Sequence, residues 1–230
     1  MDYFSFFRDH VDIDDIFQTK KYKAEFQKEH PTYFGPDGIL VFCGAQGSGK
    51  TLSAVNYVRK VSRKYPRAWI VSNMYLNKDY FPDIKIFEYT GLHDLANYSN
   101  GYEGVIFLLD EIQIEFNSLE SKNIDPVVMT EIAQQRKQRK HIVGTSQVFN
   151  RIAKPFREQF KYAVMCNNIL GGYIQWNKIV KGEDAIVDEN GKVSTEHVRH
   201  AIFTHSPDKY KAYDTYAKIN RLNEKGFDGK

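Results

Sequence analysis

Cysteine is nearly missing from this sequence: among 230 residues only Cys43 and Cys166 carry a thiol. Both lie in or at the end of apolar runs that read as core strands, so reduced, buried thiols are expected rather than a disulfide, and a disulfide-stapled secreted scaffold is excluded. His93, His197, His200 and His205 show no metal-ligand spacing with cysteine, which speaks against a structural zinc site. No window is apolar for long enough to span a bilayer, and the N-terminus lacks a signal-peptide profile, so the expectation is a soluble, cytoplasmic protein with no membrane segment. An excess of either charge is also lacking. With 32 Lys and Arg against 29 Asp and Glu the net charge is +3, too small to signal nucleic-acid binding except through where the cations sit.

What the chain does have is a glycine cluster in a particular place. The motif Gly44-x4-Gly49-Lys50-Thr51 follows the apolar run 38–43 and precedes a helical pattern. Strand, loop and helix in that order make a phosphate cradle. Glycines 44, 47 and 49 let consecutive N–H groups turn inward, and the following helix adds its positive end to the same anion. The expected nucleotide-binding residues are Gly44, Ala45, Gln46, Gly47, Ser48, Gly49, Lys50, Thr51 and Leu52, with Lys50 reaching the terminal phosphates and the Thr51 hydroxyl ligating Mg²⁺.

The next signal is the run 105–109, five apolar residues that suit a strand buried on both faces of a parallel sheet, delivering Asp110 and Glu111 at its C-terminal end. Ligands of α/β sheets gather at that edge, where the loop also ends. Asp110 is expected to hold Mg²⁺ through its water shell, and Glu111 to act as general base toward the attacking water. Downstream, a helix begins near Asp125 and Pro126 and runs into Arg136, Lys137, Arg139 and Lys140, just before a strand over 141–146 that ends at Gln147. Those cations either complement the helix dipole or supply an arginine across a subunit boundary to a neighbour's γ-phosphate. Gln147 is placed to sense that phosphate by a hydrogen bond, or is a polar strand end.

Around this core, three stretches complete the organisation. Residues 1–37 read as an N-terminal helical arm, closed by Pro31 and by Gly35-Pro36, that packs on its own domain or docks on a neighbouring subunit. Residues 38–168 read as the ATPase core, with further strands near 68–72, 81–88 and 162–166 and a short helix near 92–98. Residues 169–230 read as a small β-rich extension and tail, in which 173–180 pairs with a segment near Ile202 and Phe203 around a turn at 188–191. Lys209, Lys211, Lys218, Arg221 and Lys225 touch DNA phosphates or form a solvated tail. The whole is one compact domain of α/β class: a P-loop NTPase with a central, mostly parallel sheet flanked by helices.

Taken together, the loop, Asp110-Glu111-Ile112-Gln113, the arginine-bearing helix and the strand end Thr145-Ser146-Gln147 resemble the FtsK/HerA superfamily of ring-forming DNA translocases. Within it the chain looks most like the viral branch, the genome-packaging ATPases and the zonular occludens toxin-type assembly ATPases of phages. Ser72-Asn73-Met74, and Tyr210 with Tyr213-Asp214-Thr215-Tyr216, are similar to the toxin-type pattern. The resemblance covers residues 38 to 168 well and the tail loosely. It implies an ATPase using ATP and Mg²⁺, with Lys50 and Thr51 on nucleotide and metal, Glu111 activating water, Gln147 as sensor and Arg136 or Arg139 as a finger acting in trans. Arg136, eleven residues before Gln147, has the spacing expected of the finger. The implied partners are DNA, a homo-oligomeric ring of five or six subunits, and viral portal or capsid proteins, in the host cytoplasm. Toxin-type proteins carry a membrane segment after the ATPase domain and none is seen in this sequence, which favours packaging into a preformed capsid over export. A nucleotide-gated assembly or scaffold protein is the alternative from a different class.

Overall fold

The computed structural model describes residues 12–36, 38–81, 83–116, 126–147, 149, 152–182 and 199–214. The start of the arm, the Asp125 cap, the 188–191 turn and the tail lysines and arginine from 218 onward lie outside them. The chain divides into two compact units, Met1–Tyr33 and Phe34–Lys230.

In the first unit, helix α1 (Ile13–Glu29) starts at Asp12, whose carboxylate accepts from the amides of Asp14 (2.8 Å) and Asp15 (3.4 Å). That satisfies amides the helix itself leaves unpaired, and Asp14 and Asp15 complement its positive end. The Phe26 ring packs within 5 Å of both His30 and Tyr33, so the helical spacing read across this stretch corresponds to a real apolar seam.

The second unit is built on eight strands in the order β3-β2-β4-β5-β1-β6-β7-β8. They are β1 (Gly38–Cys43), β2 (Trp69–Ser72), β3 (Lys85–Glu88), β4 (Val105–Leu109), β5 (Lys140–Ser146), β6 (Phe160–Ile169), β7 (Ile174–Lys181) and β8 (Arg199–Thr204). All neighbours from β3 to β6 are parallel, whereas β6–β7 and β7–β8 are antiparallel. Parallel strands need helical crossovers; here these include α2 (Lys50–Lys64), α3 (Asp94–Asn97) and α4 (Pro126–Gln134), with α5 (Lys154–Arg157) and α6 (Pro207–Tyr210) as single turns. The antiparallel pair continues the same sheet, with Gln175 opposite Phe203 and Trp176 opposite Ile202.

Burial explains why the central strands read as unbroken apolar runs. Ile39, Val41, Val105, Phe107 and Ile142 face one layer, with Val128 and Ile132 of α4. Leu40, Phe42, Ile106, Leu108 and Val143 face the other, with Ala54, Val55, Val58 and Val61 of α2. A sheet covered on both sides has no polar face, and each such side chain contributes roughly 1.5–3 kcal/mol by leaving water.

One member of the basic cluster has a structural task. Lys140 is buried, its Nζ donating to Leu95 O (2.6 Å) and pairing with Glu131 (2.9 Å). It ties the start of β5 to α4 and to the short helix α3.

Candidate functional site

Because β5 lies between β1 and β4, three strand ends share one edge: Cys43 is level with Ser146, and Leu109 with Gly144. The residues that follow each strand therefore meet. Thr51 Oγ1 donates to Asp110 Oδ1 at 3.0 Å, although 59 positions separate them. Gln147 Nε2 donates to Glu111 Oε1 at 3.1 Å, and Gln113 Nε2 donates to the other oxygen of the same carboxylate.

The loop itself opens outward. Ala45, Gln46 and Gly47 are exposed, while Lys50 is buried with its ammonium against Ala45 O at 3.1 Å. Gly49 has a left-handed backbone (φ 82°) as the residue before α2, a conformation costly for a residue with a Cβ. Glu111 adopts the same region (φ 51°, ψ 51°) without being glycine, at a cost of roughly 1–2 kcal/mol. Two contacts hold it there. Its amide donates to Thr145 Oγ1 at 3.0 Å, and the next residue, Ile112, packs on Gly144, where a Cβ would come within 2.6 Å of the Ile112 side chain.

Thr145 is the hub of this arrangement. Its hydroxyl accepts from Glu111 and donates to Asp110 Oδ1 at 2.6 Å. Asn73, just past β2, clamps the Asp110 backbone, donating to its carbonyl (2.9 Å) and accepting from its amide (2.8 Å). Burial pushes the Asp110 carboxyl above its usual range, the hydrogen bonds from Thr145 and Thr51 oppose this, the Glu111 charge adds to it and Lys50 opposes it. A Thr145→Val variant keeps the shape and leaves the Glu111 amide and Asp110 each one partner short. Its unfolding free energy in a denaturant titration is expected to fall by about 1–3 kcal/mol.

The residues present fit a nucleotide phosphate and a magnesium ion. Besides the loop amides and Lys50, the Ser48 hydroxyl is buried at the loop with no protein partner, a donor positioned for a phosphate oxygen. Thr51 and Asp110 place two hard oxygen ligands together at the start of α2, and magnesium sites commonly take no more from the protein, the remainder being phosphate and water. A cation there would offset the burial that disfavours the Asp110 charge. A separate cavity of about 400 Å³ lies beside α2, lined by residues including Leu40, Tyr57, His141, Tyr162 and Phe203. None of the loop or strand-end residues described above lines it.

The two candidate arginines stand elsewhere. Arg139, with φ 57°, accepts through its carbonyl from the amide of Val105 at the start of β4. It therefore sits at the sheet edge opposite the loop, with Arg136 exposed in the turn just before it. The length of β5, roughly 20 Å at 3.3 Å per residue, separates that edge from Glu111. The structure thus brings together Lys50, Thr51, Asp110, Glu111 and Gln147, and not Arg136 or Arg139.

Sequence reasoning assigned no role to Thr145, Asn73 or Gln113, although all three stood in the stretches that carried the resemblance. It missed Asn168 and Gln175 altogether. Asn168 donates to Gly47 O at 2.6 Å and Gln175 to Ser48 O at 3.0 Å. The available signal was in β7, where the buried alternate positions Gln175 and Asn177 are polar while Trp176 between them is exposed, the reverse of an ordinary half-buried strand.

No protein-family model matches the chain, and no curated protein matches it. Solved structures do. The N-terminal domain of zonular occludens toxin from Neisseria meningitidis is 16% identical with a TM-score of 0.56, the match covering 78% of this chain and 100% of that one. The ATPase domain of a helicase is 12% identical with a TM-score of 0.53, covering 87% of this chain and 97% of that one. The genome packaging NTPase B204 from Sulfolobus turreted icosahedral virus 2, solved with ATP-gammaS, is 14% identical with a TM-score of 0.48, covering 63% and 92%. At such identities likeness speaks for architecture alone, and with the loop and strand order above it identifies the chain as having the P-loop NTPase fold.

Proposed function

We propose that this protein is an ATP-hydrolysing ring motor that translocates DNA, with viral genome packaging as its task. The observation that carries the catalytic part is the meeting of the phosphate loop, Asp110, Glu111 and Gln147 at one sheet edge. In this reading Lys50 and the loop amides bind the triphosphate. Glu111, fixed by Gln113 and Gln147, takes the proton from the attacking water. Gln147 links the state of that carboxylate to the terminal phosphate. Magnesium, held by Thr51 and through Asp110, would neutralise phosphate charge and fix the geometry of the bound nucleotide.

The ring follows from what one subunit lacks. Its exposed arginine edge lies a strand length from its own Glu111, so an arginine can complete the pocket only from another copy, in a head-to-tail contact that closes into a ring.

The experiment is ATP hydrolysis with and without duplex DNA, together with displacement of a third strand annealed to that duplex. The motor reading expects DNA to stimulate hydrolysis and ATP to drive displacement. Hydrolysis indifferent to DNA and to oligomerisation would overturn it. A second reading, phage assembly or export, is favoured by the likeness to the toxin N-terminal domain, which this chain covers in full. A nucleotide-gated scaffold would show nucleotide-dependent partner binding without displacement.

A further inference from the structure

Two side-chain amides grip the phosphate loop from outside it, and one of them heads a longer chain of hydrogen bonds. Gln175 on β7 is fully buried and packs so closely that a Cβ on Gly49 would run into its carbonyl oxygen. Every polar atom it has is used. Nε2 donates to Ser48 O (3.0 Å) and to Asn177 Oδ1 (2.7 Å), and Oε1 faces His205 Nε2 at 3.2 Å. Since the Ser48 carbonyl only accepts, the amide has one orientation, and rotating it by half a turn would set acceptor against acceptor.

The same reasoning fixes His205. Gln175 Oε1 only accepts, so His205 Nε2 carries the proton and Nδ1 accepts from the Tyr210 hydroxyl at 2.5 Å. That tautomer is neutral, in keeping with burial and the nearby Lys209 lowering the ring's affinity for a second proton. A directed path thus runs from Tyr210 through His205 and Gln175 to a carbonyl of the phosphate loop. Its outer end is anchored, because the segment after α6 bonds to the one after β2, Asn77 N to Ala212 O (3.0 Å) and Asp214 N to Tyr75 O (3.2 Å).

We infer that Gln175, oriented by His205 and Tyr210, is a positioning residue for nucleotide binding. It holds the Ser48 carbonyl outward and thereby keeps the loop amides turned inward toward phosphate. The inference rests on the reading that this loop binds nucleotide. It makes the segment after β8 part of the nucleotide site, although that segment lies some 155 residues beyond the loop in sequence.

The test measures the dissociation constant of a fluorescent ADP analogue for the full chain, with KM and kcat for ATP and a thermal midpoint for each variant. Gln175→Leu should raise the dissociation constant and KM roughly tenfold, with a smaller effect on kcat. His205→Ala should raise both roughly three- to fivefold at an unchanged thermal midpoint. His205→Gln, whose amide nitrogen can stand where Nε2 stands, should return both to near the wild-type values. His205 lies at a half-buried rim, so this pair decides the matter even if Gln175→Leu fails to fold. Tight binding by His205→Ala, or His205→Gln as weak as His205→Ala, would overturn the relay. Wild-type protein that binds no nucleotide would instead overturn the reading of the loop, and the relay with it.

Discussion

Replacing Glu111 by glutamine will leave ATP bound and nearly stop its hydrolysis, with the rate falling roughly 10²- to 10⁴-fold, the usual contribution of a positioned general base. The site explains why binding survives. Glu111 touches neither Lys50 nor the loop amides in the bonds described above; its carboxylate accepts from Gln113 on one oxygen and Gln147 on the other. A glutamine there can satisfy one of those donors and must turn its own NH₂ toward the second, so a local rearrangement joins the loss of basicity. Glu111→Asp separates the two effects: it keeps a base and shortens its reach, and should recover part of the rate. Single-turnover hydrolysis beside equilibrium nucleotide binding makes the comparison. Loss of binding in Glu111→Gln would point to a structural role, and full activity would remove Glu111 from the chemistry.

Arg136→Ala is expected to lower hydrolysis by roughly 10³-fold or more, the scale of a missing arginine finger, while nucleotide affinity stays as in wild type. Because the arginine edge is remote from the Glu111 of the same subunit, this loss must be a property of the assembly. Mixing two inactive variants tests that. An Arg136→Ala subunit keeps its own Glu111, and a Glu111→Gln neighbour still offers its Arg136, so mixed rings contain complete pockets that neither pure ring has. Activity should reappear on mixing. Arg139→Ala run in parallel shows which arginine inserts, Arg139 being the less exposed and the more committed, its carbonyl bonded to the start of β4. Mixtures that stay inactive, or Arg136→Ala and Arg139→Ala both as fast as wild type, would contradict a shared site.

Much of this was legible in the sequence because it depends on local pattern. The loop needs glycine at set intervals and a lysine-threonine pair, and β4 needs five apolar residues because both its faces are covered. The short edge strand β3 and the pairing of β7 with β8 also followed from alternation and turn residues. What could not be read depends on strand order. That β5 comes between β1 and β4 is decided by crossover packing, which leaves no mark on the strands themselves, and only this order makes Thr145 the bridge between Asp110 and Glu111. Gln175 and Asn177 escaped for a related reason: alternation shows which residues share a face without showing which face is inward. The basic cluster misled by being read as a unit, since Lys140 is buried against Glu131 while Arg136, four residues earlier, is exposed.

The most direct measurement is a crystal structure of the chain with magnesium and a non-hydrolysed ATP analogue. The account predicts β- and γ-phosphate oxygens about 3 Å from the loop amides and from Lys50 Nζ, Glu111 facing the γ-phosphate, and an arginine from residues 136–139 of an adjoining copy completing the pocket. A nucleotide seated elsewhere, for instance in the cavity beside α2, or a γ-phosphate out of reach of Glu111, would contradict it.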